Sequence, residues 1–132
     1  MQFDFTEHRR HFRVYFKGDG EFTCTVDPSG SGLFTAKVLD LSLGGIHLAM
    51  DGRHDFEVGN RLCLKNFFHR NSVPVKENVE IEVRWVFRSQ DFKNIYIGCQ
   101  FQSLSSSLYA YFAQLIGEKV EEKKMAALRE NN

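Results

Sequence analysis

Arg9-Arg10-His11-Phe12-Arg13 and Asp40-Leu41-Ser42-Leu43-Gly44-Gly45 are the two stretches of this 132-residue chain whose residue types and spacing could hold a ligand. The first reads R-x-x-x-R, planar cations packed into a tight cluster. The second reads D-x-S-x-x-G, a carboxylate, a hydroxyl and glycines closing a turn between two apolar runs. Guanidinium forks suit phosphates and the O6/N7 edge of guanine. A carboxylate suits the N–H donors on the opposite edge of that base. Together they describe a pocket for a guanine nucleotide with more than one phosphate. Each motif also has a plainer use. A basic arm keeps a terminus solvated, and Asp, Ser and Gly form turns in any β protein. Turn chemistry, however, does not explain the arginines upstream.

Charge narrows the ligand class. Lys+Arg and Asp+Glu are equal at 17 each, so no global basic field exists to hold a nucleic acid polymer. Residues 8–17 hold four Lys/Arg and no acid, while Glu77, Glu80 and Glu82 balance the account elsewhere. A local cation cluster on a neutral protein favours a small anionic ligand. No nucleophile–base constellation, Walker loop or acidic metal cluster is present, so the expected role is non-enzymatic. The spacing of His8, His11, His47, His54 and His69 matches no common zinc pattern, and neither metal nor cofactor is expected. Cys24, Cys63 and Cys99 are odd in number, far apart and set in strand-like runs. They read as buried free thiols of a reducing cytoplasm. The first residues lack a basic n-region and an apolar h-region, and no stretch approaches the ~20 apolar residues of a membrane span.

The elements that must position these motifs are mostly strands. Residues 1–12 are polar without sustained alternation and read as a flexible arm carrying the start of R-x-x-x-R. Alternation or apolar runs mark strands at 21–26, 33–39, 46–50, 61–64, 79–88 and 94–101. Asp27-Pro28-Ser29-Gly30-Ser31-Gly32 is a turn, and 40–45 is expected to be the next. Residues 65–78 contain Pro74 and scattered polar groups and read as a long connection, pinned in part by Phe67 and Phe68. Within 79–88, Ile81, Val83, Trp85 and Phe87 share a face by strict alternation. Six short antiparallel strands without intervening helical periods predict a small closed or half-closed barrel. The period then changes. Leu104, Leu108, Tyr111, Phe112, Leu115 and Ile116 recur at helical spacing after a cap at Ser105 or Ser106. A charged helical tail follows over 118–132, with a thinner stripe at Val120, Met125 and Leu128. The expected division is therefore an arm over 1–12, a barrel and helix over 13–117, and the tail.

The ordered pair of motifs, with the later strands and terminal helix, resembles the PilZ family of bacterial receptors for cyclic di-GMP. The likeness runs from residue 7 to about 116. It implies a mainly β fold, a six-stranded antiparallel PilZ-type barrel with a C-terminal α-helix. It implies that Arg9 and Arg13 grip phosphates and Hoogsteen edges of guanine, with Arg10 adding charge or a stacking plane. Asp40 would accept from guanine N1–H and N2–H, and Ser42 would offer a hydroxyl to base or phosphate. Gly45, with Gly44, would turn the backbone at positive φ and admit the ligand closely. Trp85 would stack on a guanine face or sit in the core. Gly98, inside a strand, marks a bulge or a close approach and joins the ligand-binding candidates. His8 stands where some members carry a further arginine, which bears on whether one nucleotide or a stacked pair binds. The resemblance thus implies cyclic di-GMP as ligand and an unidentified downstream protein as partner. The alternative is a PilZ-like adaptor of motility or pilus machinery that binds no nucleotide.

Overall fold

In a computed structural model of the chain, residues 12–29, 32–70 and 72–130 are described. The elements are β1 (Val14–Tyr15), β2 (Phe22–Asp27), β3 (Phe34–Leu41), β4 (Gly45–Asp51), β5 (Arg61–His69), β6 (Val79–Arg88), β7 (Asn94–Phe101) and α1 (Ser106–Glu130). Every strand pair is antiparallel. The order β3-β2-β5-β6-β7-β4 returns to β3, so six strands close a barrel. β1 is an addition: it pairs with the end of β3, Val14 opposite Leu41 and Tyr15 opposite Asp40, where β2 has already left that edge. Closure leaves few open strand edges to aggregate.

Inward-facing Leu, Ile, Val and Phe fill the barrel, and Phe22, Phe67 and Phe101 are among the largest buried side chains. α1 lays Leu108, Phe112 and Leu115 on this core. The Phe112 ring lies 5.2 Å from that of Phe67 and 5.4 Å from that of Phe101. Ser105 caps the helix, its Oγ accepting from the Leu108 N–H at 3.1 Å. The helix runs unbroken across residues 117 and 118, and Met125 and Leu128 are exposed. Among the described residues no helix is long and apolar enough to cross a membrane.

Three sequence expectations are corrected by bulges. β5 continues to His69 rather than ending at Leu64. Between Thr23 and Thr25 its register against β2 slips by one residue, and Asn66 takes a φ of 49°. The extra residue breaks the alternation after Leu64, which is why 65–69 reads as a connection; Phe67 is nevertheless core, while Phe68 is exposed. A second slip, between Val38 and Asp40, carries β3 through Leu41, so Asp40 is a strand residue and not a turn residue. A third, between Val83 and Trp85, turns β6 over. Val83 stays in the core, whereas Trp85 and Phe87 face outward. The one face expected for Ile81, Val83, Trp85 and Phe87 is thus two. Cys24 and Cys99 are buried thiols, but Cys63 is only partly covered.

Candidate functional site

The bulge in β3 and the tight turn after it build the site. Past the bulge Asp40 pairs directly with His47 of β4, so both side chains stand on one face. Asp40 is only 5% exposed, yet it is not solitary. Arg13, one residue before β1, donates from Nη1 to Asp40 Oδ1. His47 Nδ1 lies 2.5 Å from Asp40 Oδ2. A carboxylate only accepts, so Nδ1 carries the hydrogen and Nε2 is left for another partner. Both carboxylate oxygens are therefore engaged, one by a cation and one by an imidazole.

Between β3 and β4 the chain reverses over Ser42-Leu43-Gly44-Gly45. Ser42 Oγ accepts from the N–H groups of Gly44 at 3.2 Å and Gly45 at 3.1 Å, and the Ser42 N–H donates to the Gly45 carbonyl at 3.0 Å. The hydroxyl is buried and spent inside the turn. Gly45 does not take the positive φ expected of it. Its requirement is space: a Cβ there would come within 2.4 Å of the Cys99 carbonyl oxygen on β7. Gly98 is explained the same way. Trp85 lies directly across from it on β6, and a Cβ on Gly98 would meet indole Nε1 at 2.0 Å. The glycine lets the indole lie flat on the outer sheet face, with its ring centroid 4.8 Å from that of His47 in an edge-on contact. Trp85 is 42% exposed, so the choice between core and surface falls to the surface.

These residues surround a cleft of about 240 Å³. Arg13, Gly44, Gly45, Trp85 and Gly98, all singled out in the sequence, line it, and His47, Arg84, Cys99 and Gln100 complete it. Asp40 stands behind, touching the lining through Arg13 and His47. Burial pushes the Cys99 thiol up to about 12, so it stays protonated and acts as a wall. Arg9 and Arg10 lie outside the described residues. His47 and Arg84 were missed, because a lone histidine and a lone arginine in alternating strands look like ordinary outward-facing residues. Only the cross-strand register brings them to the motif. A larger groove of about 700 Å³ runs between β1 and the second half of α1, sharing Arg13. The carboxylate, the glycine turn and the indole all belong to the smaller cleft, which is therefore the candidate site.

A family model described as the PilZ domain matches residues 7–118. Among curated proteins none matches. Among solved structures, the inhibitor of motility MotI/DgrA of Bacillus subtilis is 15% identical with a TM-score of 0.70, over 89% of this chain and 53% of that one. The PilZ domain of YcgR from Escherichia coli with c-di-GMP is 14% identical with a TM-score of 0.65, over 92% and 98%. The MrkH–c-di-GMP complex of K. pneumonia is 16% identical with a TM-score of 0.70, over 91% and 56%. The chain thus spans about half the length of MotI and MrkH. At these identities the likeness is one of fold.

Proposed function

The chain belongs to the PilZ domain family, and from that membership we propose that it is a receptor for cyclic di-GMP. The observation that carries the reading is the Arg13–Asp40 ion pair at a cleft with a glycine turn on one side and the Trp85 indole on the other. A guanine needs a flat face to stack on, an acceptor for its N–H edge and a cationic fork for its phosphates. Trp85, Asp40 and Arg13 are residues of those three kinds within one patch. The described c-di-GMP complexes of YcgR and MrkH share the fold. Signal output needs no chemistry in this reading. Arg9 and Arg10 fold over the nucleotide with the rest of the arm, its phosphates neutralise the clustered arginines, and a downstream protein reads the reshaped surface around β1.

Calorimetry with cyclic di-GMP, linear pGpG and a poly-dT oligomer tests the ligand. Saturable heat with cyclic di-GMP alone is the expected result. Heat with none of them, from a folded sample, would favour the second reading, an adaptor of motility or pilus machinery that binds no nucleotide. One observation speaks for that alternative: both oxygens of Asp40 are already engaged within the protein. Amide exchange across residues 5–14 tests the arm. Slower exchange with nucleotide is expected, and equal protection in both states would overturn the ordering step even if binding held.

A further inference from the structure

His47 lines the cleft without an assigned role, and its surroundings define one. The Asp40 carboxylate holds Nδ1 at 2.5 Å and the Trp85 indole fixes the ring edge-on at 4.8 Å. Its side chain is 24% exposed, its ring lines the cleft, and Nε2 has no hydrogen bond among the described residues. With Nδ1–H given to Asp40, a neutral ring offers the cleft a lone pair at Nε2, and an imidazolium offers it an N–H. The local charges decide between them. In the empty cleft Arg13 is paired with Asp40 and Arg84 with Glu82, so these described charges balance without a charge on the ring. An entering phosphodiester adds a negative charge, and Nε2–H then becomes a donor to it in a charge-assisted bond.

We propose that His47 binds the anionic part of the nucleotide through Nε2 as an imidazolium steadied by Asp40, so that ligand binding takes up a proton. This rests on the reading that a nucleotide occupies the cleft. The proton comes from the buffer; it adds to Nε2 and no bond of the ligand breaks. Among the described residues the groups facing His47 are few. Asp40 comes from β3, Arg13 from the segment before β1, Arg84 and Trp85 from β6, and Cys99 and Gln100 from β7. Asp40 is already committed to two donors, Arg13 and Arg84 keep their charge, and the Cys99 thiol titrates near 12, outside the working range. Of the side-chain types in this set, imidazole is the one that ordinarily changes charge between about pH 5 and 8.

Calorimetric titration of the full chain with cyclic di-GMP, at pH 6 to 8 in buffers of different ionisation enthalpy, reads the proton directly. The expected result is uptake of a fraction of a proton approaching one. Affinity should fall by up to about tenfold per pH unit where the free ring is neutral and the bound ring is charged. His47→Asn keeps a donor toward Asp40 but cannot titrate, so its affinity should be flat with pH, matching the parent at pH 8 and falling behind at pH 6. His54→Asn, at a ring stacked on Phe34 away from the cleft, should keep the uptake. Because a variant could lose its fold, the His47 Cε1–H resonance of the unaltered protein gives an independent reading, and it should move to the imidazolium position on saturation. Binding without uptake would mean that a neutral Nε2 accepts a guanine N–H, and it would overturn the proposal while leaving the receptor reading intact. Uptake that survives His47→Asn, or vanishes in His54→Asn, would also overturn it. No heat at any pH would instead bring down the receptor reading on which it stands.

Discussion

Asp40 holds two partners at once, and that makes its removal more than the loss of one ligand contact. Replacing it with Ala leaves Arg13 without its counter-ion and His47 without its acceptor. A hydrogen bond to a charged group is worth ~1.5–3 kcal/mol, so affinity for cyclic di-GMP should fall roughly ten- to a hundredfold, with discrimination against cyclic di-AMP lost. Unchanged affinity and intact discrimination in Asp40→Ala would show that another group reads the base. Arg13→Ala should weaken binding more than about tenfold. Arg13→Lys should restore little of it, because an ammonium cannot form the two-pronged contact. Full rescue by lysine would show that charge alone matters, and rising salt should weaken binding in either case. Titrations of these variants at two ionic strengths decide all of this. Arg13, Asp40 and the glycines were legible because their residue types are unusual at their spacing. His47 was not: nothing in the order of residues says that position 47 faces position 40, and the pairing exists only through a one-residue slip in β3.

Elements were legible where the period held and obscured where a bulge broke it. β2, β7 and the first turns of α1 follow their patterns, whereas β5 and β6 each carry one residue that turns the faces over. The slip in β6 has a functional consequence, since it delivers Trp85 to the cleft instead of the core. The other feature hidden from sequence is how α1 is fastened. Glu21, before β2, accepts from the Lys17 N–H at 2.9 Å, and its Oε2 lies 2.6 Å from Lys119 Nζ, 3.0 Å from Arg70 and 3.1 Å from His69 Nε2. Burial pushes this carboxyl up, but the bonds from Lys119, the Lys17 backbone and His69 outweigh it and hold it at about 2, below its ordinary 4.5. A depressed carboxyl stabilises the fold above its unfolded value and loses that contribution as pH falls toward the folded one. A shift of this size corresponds to roughly 3 kcal/mol at neutral pH. Glu21→Gln should therefore lower stability by about that amount at pH 7, with the gap to the parent closing between pH 4.5 and 2. Urea midpoints at pH 7 and pH 3 check it, and an equal gap at both would show that the carboxylate charge is not what fastens the helix.

Across the whole molecule, the cleft and the fastened helix share one short piece of chain. Arg13 touches Asp40; Phe16 then donates its N–H to the Leu39 carbonyl at 2.9 Å, and Lys17 donates to Glu21. The Phe16 ring also carries the Lys119 ammonium 5.1 Å from its centroid. β1 itself is only two residues long, so this piece is held by a few contacts at its two ends and little ladder between them. A closed barrel cannot deform continuously, because its strands are hydrogen-bonded on both sides, whereas this strap lies outside the ring and can adjust without opening it. A nucleotide that draws on Arg13 would therefore be felt at Lys17 and Glu21, and through Lys119 in the second half of α1. Amide exchange should accordingly slow beyond the cleft in two places on addition of cyclic di-GMP, residues 12–17 and residues 117–124, while β2, which lines no part of the cleft, stays unchanged. In Glu21→Gln the first region should still respond and the second should respond less, since the ionic link from Glu21 to Lys119 is lost and only the Phe16 ring contact remains. If the second region responds undiminished in that variant, the helix does not sense the ligand through Glu21. If only the first responds in the parent protein, the strap ends the signal and the partner surface must lie on the barrel beside the cleft.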